Sequence, residues 1–260
     1  STVGIYDEFG PLNFYEPDPL TVTTTEVNST CYGECNGQKE IIITGGTQPY
    51  NYTLDMNQVF LGANSSIDTL TNLCEGVYNL VVSDTNGCVT SPDTINITID
   101  SILPITPAYE VSLWQMGVNI SCFGGNNGAI YVIDTALGGT GAFTYSIDGV
   151  NFQTSTTFLG LSAGTYPLTF QDANGCIAID TIILNEPPPL AATASVTDSI
   201  NCSEETGEIT ITYDPNQPGS GSYQYSADNI NFQSNNVFSL FGDSTYDMTI
   251  EDINGCQFTV

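Results

Sequence analysis

Eight cysteines dominate the reactive chemistry open to this 260-residue chain, which has no histidine and one basic residue, Lys39. Three of them end the same pentapeptide: DTNGC at Asp84–Cys88, DANGC at Asp172–Cys176 and DINGC at Asp252–Cys256. Each has an upstream cysteine at a nearly constant distance, Cys31 57 residues before Cys88, Cys122 54 before Cys176, and Cys202 54 before Cys256. The other two, Cys35 and Cys74, fall in the first unit, so all eight can pair within units as Cys31–Cys88, Cys35–Cys74, Cys122–Cys176 and Cys202–Cys256. An even, regularly spaced set of this kind implies a disulfide framework and an oxidising compartment.

Other chemistries fit the residues less well. CYGEC sets Cys31 and Cys35 four apart, as zinc ligands are, but no second close pair and no histidine completes a site. D-x-N-G also opens a helix-flanked calcium loop, yet the residues upstream alternate as a strand does, and the first two units lack a glutamate at the twelfth position. Glu204 and Glu205 form a carboxylate pair of the kind used in glycoside hydrolysis, but in a turn-like stretch beside Cys202. Without histidine or arginine there is no Ser-His-Asp or Cys-His arrangement and no guanidinium clamp for phosphate. The chain therefore reads as a non-enzyme with no catalytic or metal-ligating residue and no cofactor beyond weakly bound calcium.

The elements that hold the cysteines are strands. YNLVVSD, YPLTFQD and YDMTIED precede the three pentapeptides, and in each an apolar residue stands at every second position: Tyr78, Leu80, Val82; Tyr166, Leu168, Phe170; Tyr246, Met248, Ile250. Period two is the signature of a half-buried strand. Asx-x-Asn-Gly then supplies a tight turn into a last strand. YSIDGVNFQTSTTF (Tyr145–Phe158) superposes without a gap on YSADNINFQSNNVF (Tyr225–Phe238). The fold class expected is all-β: three tandem immunoglobulin-like β-sandwich repeats in a rod, each with a structural disulfide. Domains this small have marginal cores, and closing a loop of 54 to 57 residues contributes about 4 kcal/mol in the chain-entropy model.

The joints set the boundaries. NEPPPL (Asn185–Leu190) matches YEPDPL (Tyr15–Leu20), and prolines there favour short, stiff linkers. The repeats run over residues 17–100, 101–187 and 188–260, with residues 1–16 as an N-terminal strand segment. The longer joint before the second repeat holds the one tryptophan, Trp114, which is expected in inter-domain packing. The third repeat stops at QFTV where the second continues as IAIDTIILNEP, and GPLNFYEP (Gly10–Pro17) stands before the first repeat as TIILNEP stands before the third. Two explanations are open: a window of a longer array, or a subunit whose N-terminal segment completes the third domain of its neighbour by strand addition.

With 29 acidic residues and a net charge of −28, the chain is expected to avoid nucleic acid and anionic lipid and to keep a solvated, self-repelling surface. Its expected partners are neighbouring repeats or copies of itself, and surface glycans, with no membrane insertion.

C-x-G-x-x-x-G, Gly-Gly before an aromatic strand, G-x-Y and D-x-N-G-C together resemble the SprB-type repeat of giant cell-surface proteins exported by type IX secretion in gliding bacteria. The residues that carry the likeness are Cys31, Gly33, Gly37, Gly45, Gly46, Pro49, Tyr52, Gly76, Tyr78 and Asp84–Cys88, with Cys122, Gly124, Gly128, Gly138, Gly139, Tyr145, Gly164, Tyr166 and Asp172–Cys176 in the second repeat. The third keeps Cys202 and Gly207 but has STY for GTY. The resemblance implies a secreted, non-catalytic structural segment of an extracellular filament or adhesin, used for attachment or gliding. A secreted carbohydrate-binding module is the alternative from composition, given 14 Tyr and 12 Phe. Asp-Ser/Thr followed by a small or aliphatic residue resembles the O-glycosylation sequon of the same bacterial group. It occurs at Thr69, Thr94, Ser101, Thr135, Thr181, Ser199 and Ser244, against roughly one or two by chance.

Overall fold

The structure is a computed structural model and describes residues 18–55, 58–63, 66–133, 138–200, 206–242 and 244–260. The N-terminal strand segment expected over residues 1–16 lies outside them. The chain divides into two compact units, Ser1–Pro104 and Ile105–Val260.

The first unit holds one sandwich. Strands β1 (Thr21–Val27), β2 (Gly37–Thr44) and β5 (Ile67–Leu73) make a sheet in the order β1-β2-β5. Facing it are β3 (Tyr50–Leu54), β4 (Gln58–Ala63), β6 (Gly76–Ser83) and β7 (Ile95–Ile99), in the order β4-β3-β6-β7. Alternation along β2 and β6 turns Ile41, Ile43, Leu80 and Val82 inward, where they meet Tyr52, Ile97 and Ile99. Each such side chain contributes about 1.5–3 kcal/mol on burial. Lys39 points into this core too, fully buried, with Nζ donating to the Thr98 carbonyl at 3.3 Å. The one side-chain cation is therefore not part of the surface that faces partners.

The second unit holds two sandwiches on the same plan. One pairs β8 (Tyr109–Val111), β9 (Gly128–Val132) and β11 (Thr157–Leu161) as β11-β9-β8, facing β10 (Thr144–Ser146), β12 (Gly164–Gln171) and β13 (Ile177–Leu184) as β10-β12-β13. The other pairs β14 (Leu190–Asp198), β15 (Thr206–Pro218) and β17 (Val237–Phe241) as β14-β15-β17, facing β16 (Gln224–Ser226), β18 (Thr249–Glu251) and β19 (Gln257–Thr259) as β16-β18-β19. All pairings in the three sandwiches are antiparallel.

With the seven strands of the first sandwich lettered A to G in chain order and their equivalents in the other two lettered to match, every sandwich sets A-B-E against C-F-G, the first adding strand D beside C, and this is the immunoglobulin-like arrangement. A tyrosine corner recurs where the chain enters strand F: the hydroxyls of Tyr78, Tyr166 and Tyr246 donate to the carbonyls of Cys74, Ser162 and Phe241 at 2.8, 2.9 and 3.1 Å. The tyrosine of G-x-Y, and of STY in the third sandwich, thus pins the E–F crossing to its strand.

Candidate functional site

The repeated pentapeptide is a built turn. Asp84, Asp172 and Asp252 are all buried, although carboxylates seldom are. In each, Oδ1 accepts from the backbone N–H two and four residues on: Asn86 and Cys88 at 2.9 Å, Asn174 and Cys176 at 2.9 Å, Asn254 and Cys256 at 3.0 Å. Each Oδ2 reaches across to a second loop, accepting from Thr47 at 3.0 Å, Thr140 at 2.8 Å and Ser220 at 2.7 Å. Three charge-assisted bonds offset the burial of each carboxylate. For Asp84, burial pushes the carboxyl up, but the N–H groups of Thr47, Cys88 and Asn86 outweigh it and hold it below the usual range. Both carboxylate oxygens thus accept from backbone N–H groups, one within the turn and one on the loop beside it. Among the described residues no three His, Cys, Asp or Glu side chains converge as a metal site.

The turn aims its cysteine away from its own sandwich. Cys256 is bonded to Cys122, 134 residues earlier, across the joint between the second and third sandwiches. This corrects two expected pairings, Cys122–Cys176 and Cys202–Cys256. The reason is strand length. Asn119 and Ile120, just before Cys122, donate from N to the carbonyl of Asn185, immediately after β13 ends, at 2.8 and 3.1 Å. Cys176 instead immediately precedes Ile177, where β13 begins. Eight strand residues separate the two ends by roughly 25 Å, far beyond the about 7 Å between Cα atoms that a disulfide spans.

Cys31–Cys88 is corrected as well, because Cys88 is a free, exposed thiol. The layout repeats that of the second sandwich: Asp100, just past β7, donates to Asn28 Oδ1 near Cys31 at 3.4 Å, whereas Cys88 lies before β7 begins. Cys31 and Cys176 are each disulfide-bonded. Cys35 is bonded to Cys74, so it does not join Cys31 as a metal pair. Cys202, Glu204 and Glu205 lie outside the described residues.

Around Cys256 the joint is polar and specific. The Asn254 side chain lies against the Gln115 backbone, Oδ1 accepting from its N at 3.2 Å and Nδ2 facing its carbonyl at 3.4 Å. Nδ2 also donates to Ser220 Oγ at 2.8 Å and faces the Ser121 carbonyl at 3.3 Å. Glu186, in the proline-rich joint, accepts from Gly124 N at 2.7 Å. The second sandwich's loop from β8 to β9 is therefore the seat for the third sandwich's turn. Sequence reasoning assigned Asn254 to the turn alone. Only its repetition at Asn86 and Asn174 hinted at more.

Trp114, expected in packing, is 40% exposed beside Gln115. Tyr52, Tyr145 and Tyr225 are core residues, as their repeat-equivalent positions imply. Of the glycosylation candidates, Thr69, Thr94, Thr181, Ser199 and Ser244 are exposed, Ser101 is half-buried with its hydroxyl donating to the Ile102 carbonyl at 3.0 Å, and Thr135 lies outside the described residues.

A second feature is open. In the second sandwich β13 pairs with β12 from Ile177 to Leu184, and Ile182 and Leu184 fill the core. The third sandwich's β19 pairs with β18 over three residues, continued by the exchange of backbone bonds between Met248 and Val260, and Tyr246–Met248, expected to be strand, is not. A groove of about 260 Å³ results, lined by Gly207, Ile209, Leu240, Phe241 and Tyr246. A Cβ on Gly37 would meet Ile99 at 2.7 Å and one on Gly128 would meet Ile120 at 2.4 Å and Leu184 at 3.2 Å, whereas the three atoms nearest to one on Gly207 belong to Asp198 and Ile200.

Residues 23–59 and 118–152 match the SprB repeat family. These segments span strands B and C of the first two sandwiches together with Cys31 and Cys122. No curated protein matches the chain. Among solved structures, the chain is similar to Dpr2 Ig1-Ig2, solved in complex with DIP-Theta Ig1-Ig3, at 11% identity over 94% of this chain and 98% of that one, with a TM-score of 0.29. It is also similar to the I9-I11 tandem of titin, at 12% identity over 92% and 97%, with a TM-score of 0.32. The immunoglobulin-like assignment rests on strand order and the tyrosine corners, not on these scores. Among the described residues no helix is long and apolar enough to cross a membrane.

Proposed function

We propose that the chain is a non-catalytic structural segment of a secreted, cell-surface filament or adhesin that carries tension between its ends. The observation behind this reading is the Cys122–Cys256 bond, which gives the joint a second covalent connection beside the Asn185–Pro189 peptide. Pulling on the chain then cannot draw out the 134-residue separation between these cysteines, an extension of roughly 470 Å, without breaking sulfur–sulfur bonds. The likeness to the SprB repeat, the oxidising compartment that disulfides need and the −28 charge, which keeps neighbouring filaments apart, all support it. In this setting the exposed Asp-Ser/Thr sites carry O-linked sugar, and attachment or gliding is the use. Immunogold labelling with an antibody to this chain tests it. Label along extracellular fibres is expected, and label confined within the cell envelope would overturn the reading.

The groove of the third sandwich favours a second reading, a subunit that polymerises by strand addition. An extended segment with apolar residues two apart would fill this groove beside Ile209, Leu240 and Tyr246. In the register of TIILNEP on PLNFYEP, Leu12 and Phe14 take the places of Ile182 and Leu184. A Gly10–Pro17 peptide should bind a chain lacking residues 1–17 saturably and raise its melting temperature. The same peptide with aspartate at both apolar positions should not. Equal behaviour of the two peptides would dismiss strand addition.

A further inference from the structure

Five asparagines stand directly before a glycine: Asn36, Asn86, Asn127, Asn174 and Asn254. Such pairs are chemically labile, because the glycine N can attack the asparagine Cγ and no side chain on the glycine obstructs the five-membered ring that forms. The attack needs the side-chain amide to turn toward its own backbone, so an amide held elsewhere by hydrogen bonds is protected. Asn36 Oδ1 accepts from Thr30 N at 3.0 Å and from Ser29 Oγ at 2.9 Å, and its Nδ2 donates to Thr30 Oγ1 at 2.6 Å. Asn127 Oδ1 accepts from Ser121 N at 3.1 Å, and its Nδ2 donates to Ser121 Oγ at 2.7 Å. Asn254 is seated on Gln115 and Ser220, and Asn174 is engaged too.

Asn86 differs. Its backbone N–H is bonded within the turn, to Asp84 Oδ1 at 2.9 Å, but its exposed side-chain amide has no hydrogen-bond partner among the described residues. Gly87 is exposed as well, and nothing lies within 4 Å of where a Cβ on it would stand. The turns at Asn86 and Asn254 share one backbone geometry, with Gly87 and Gly255 each donating to the carbonyl of the turn's aspartate at 3.0 Å. What separates the two pairs is the seat of the side chain.

We propose that Asn86–Gly87 is a site of spontaneous modification, where Asn86 is converted to aspartate and isoaspartate while Asn36, Asn127 and Asn254 are kept. Gly87 N bonds to Asn86 Cγ and gives up its proton, the Cγ–Nδ2 bond breaks, and ammonia leaves carrying that proton. Water then opens the succinimide. Attack at Cγ restores the peptide bond and leaves aspartate, whereas attack at the backbone carbonyl carbon leaves isoaspartate, with the chain running through the side chain. No oxidant or reductant takes part. Either product adds one negative charge to the net −28. Isoaspartate also lengthens the backbone between residues 86 and 87, which disrupts the spacing that lets Asp84 Oδ1 accept from both Asn86 and Cys88. The Cys88 turn thus changes with age, and the Cys256 turn is sheltered by its seat on the second sandwich. The proposal stands apart from the filament reading.

The test is incubation of the folded 260-residue chain in mildly alkaline heavy-oxygen water, followed by peptide mapping that separates aspartate from isoaspartate. Heavy oxygen should enter at Asn86 at least about tenfold faster than at Asn36, Asn127 or Asn254, since freeing an amide from two hydrogen bonds of ordinary net strength slows the reaction by that order. The same chain, reduced and unfolded in denaturant, should convert all five pairs at similar rates, because only the fold distinguishes them. Isoelectric focusing of the folded chain should show an acidic band growing in. Asn86→Gln should lack it, as the longer side chain must close a slower six-membered ring. Conversion at Asn254 as fast as at Asn86 in the folded chain, or an equal preference for Asn86 after unfolding, would overturn the proposal.

Discussion

The second and third sandwiches share a strand plan, a tyrosine corner and a turn, and differ in how their last strand ends. β13 runs eight residues and carries Ile182 and Leu184 into the core, whereas β19 runs three and carries none. Tyr246, Leu240 and Ile209 consequently line a groove, while the fuller core of the second sandwich closes over its counterparts. In the second sandwich the residues that close the core from this side, Ile182 and Leu184, stand in the second half of β13 and not in the F–G turn. The turn is complete in both, and it serves the joint.

The largest change that sharpens this comparison is removal of the latch. Cys256→Ser should lower the stability of the second unit by about 5 kcal/mol, since the chain-entropy cost of freeing a loop of this length is of that order. Chemical denaturation with and without reductant measures it, and a wild-type curve that reduction leaves unmoved would refute it. Next, Leu184→Ala should cost about 3 kcal/mol, because the surrounding core is closed and leaves a cavity. Leu240→Ala in the third sandwich should cost about 1 kcal/mol, as its side chain already borders open space. Equal costs would mean that the groove is not open in solution.

Asp172→Ala strips three N–H groups of their acceptor and should cost about 3 kcal/mol. Asp252→Ala should do the same and also loosen Asn254 from Gln115. Amide hydrogen exchange would show that excess at the joint, and its absence would deny the turn a role there.

The smallest effect is a pH dependence. Asp148 and Asp228 are held well below the usual carboxylate range, first by the backbone N–H and side-chain amide of Asn151 and Asn231, as Asp84 is by its own turn. Each protonates more readily unfolded than folded, so the stability they lend is full above the ordinary value of 3.8 and is lost as pH falls through the lower folded values. Burial and the hydrogen bond to Asp68 push the Tyr52 phenol up, and burial raises Tyr223 and Tyr225 as well. Their contribution is intact below the ordinary value of 10.0 and is lost above it, as the unfolded phenols ionise first. Melting temperature against pH should show a plateau with a fall at each end, and tyrosinate absorbance should rise late in the folded chain.

Much of this architecture was legible in the sequence. Tyr166, Leu168 and Phe170 alternate, and the strand they predict is β12. The equivalent run Tyr246, Met248 and Ile250 alternates equally well, but only Thr249–Glu251 is strand, with Met248 still exchanging backbone bonds with Val260. Alternation reports which face is apolar, whereas a strand also needs a partner, and the partner is a property of the sheet.

What the sequence determined by itself is local. The pleat imposes period two, Asp-x-Asn-Gly closes on its own backbone within five residues, and a tyrosine two after a glycine reaches the chain it has just left. Cys35–Cys74 is paired as the sequence reading has it, but the pairing of the pentapeptide cysteines was decided by the tertiary structure. Equal spacing made Cys122 and Cys176 look like partners, but an eight-residue strand holds them at opposite ends of one sandwich and brings Cys122 against Cys256 of the next. A disulfide forms between sulfurs that lie within bonding distance in space, and separation along the chain does not set that distance.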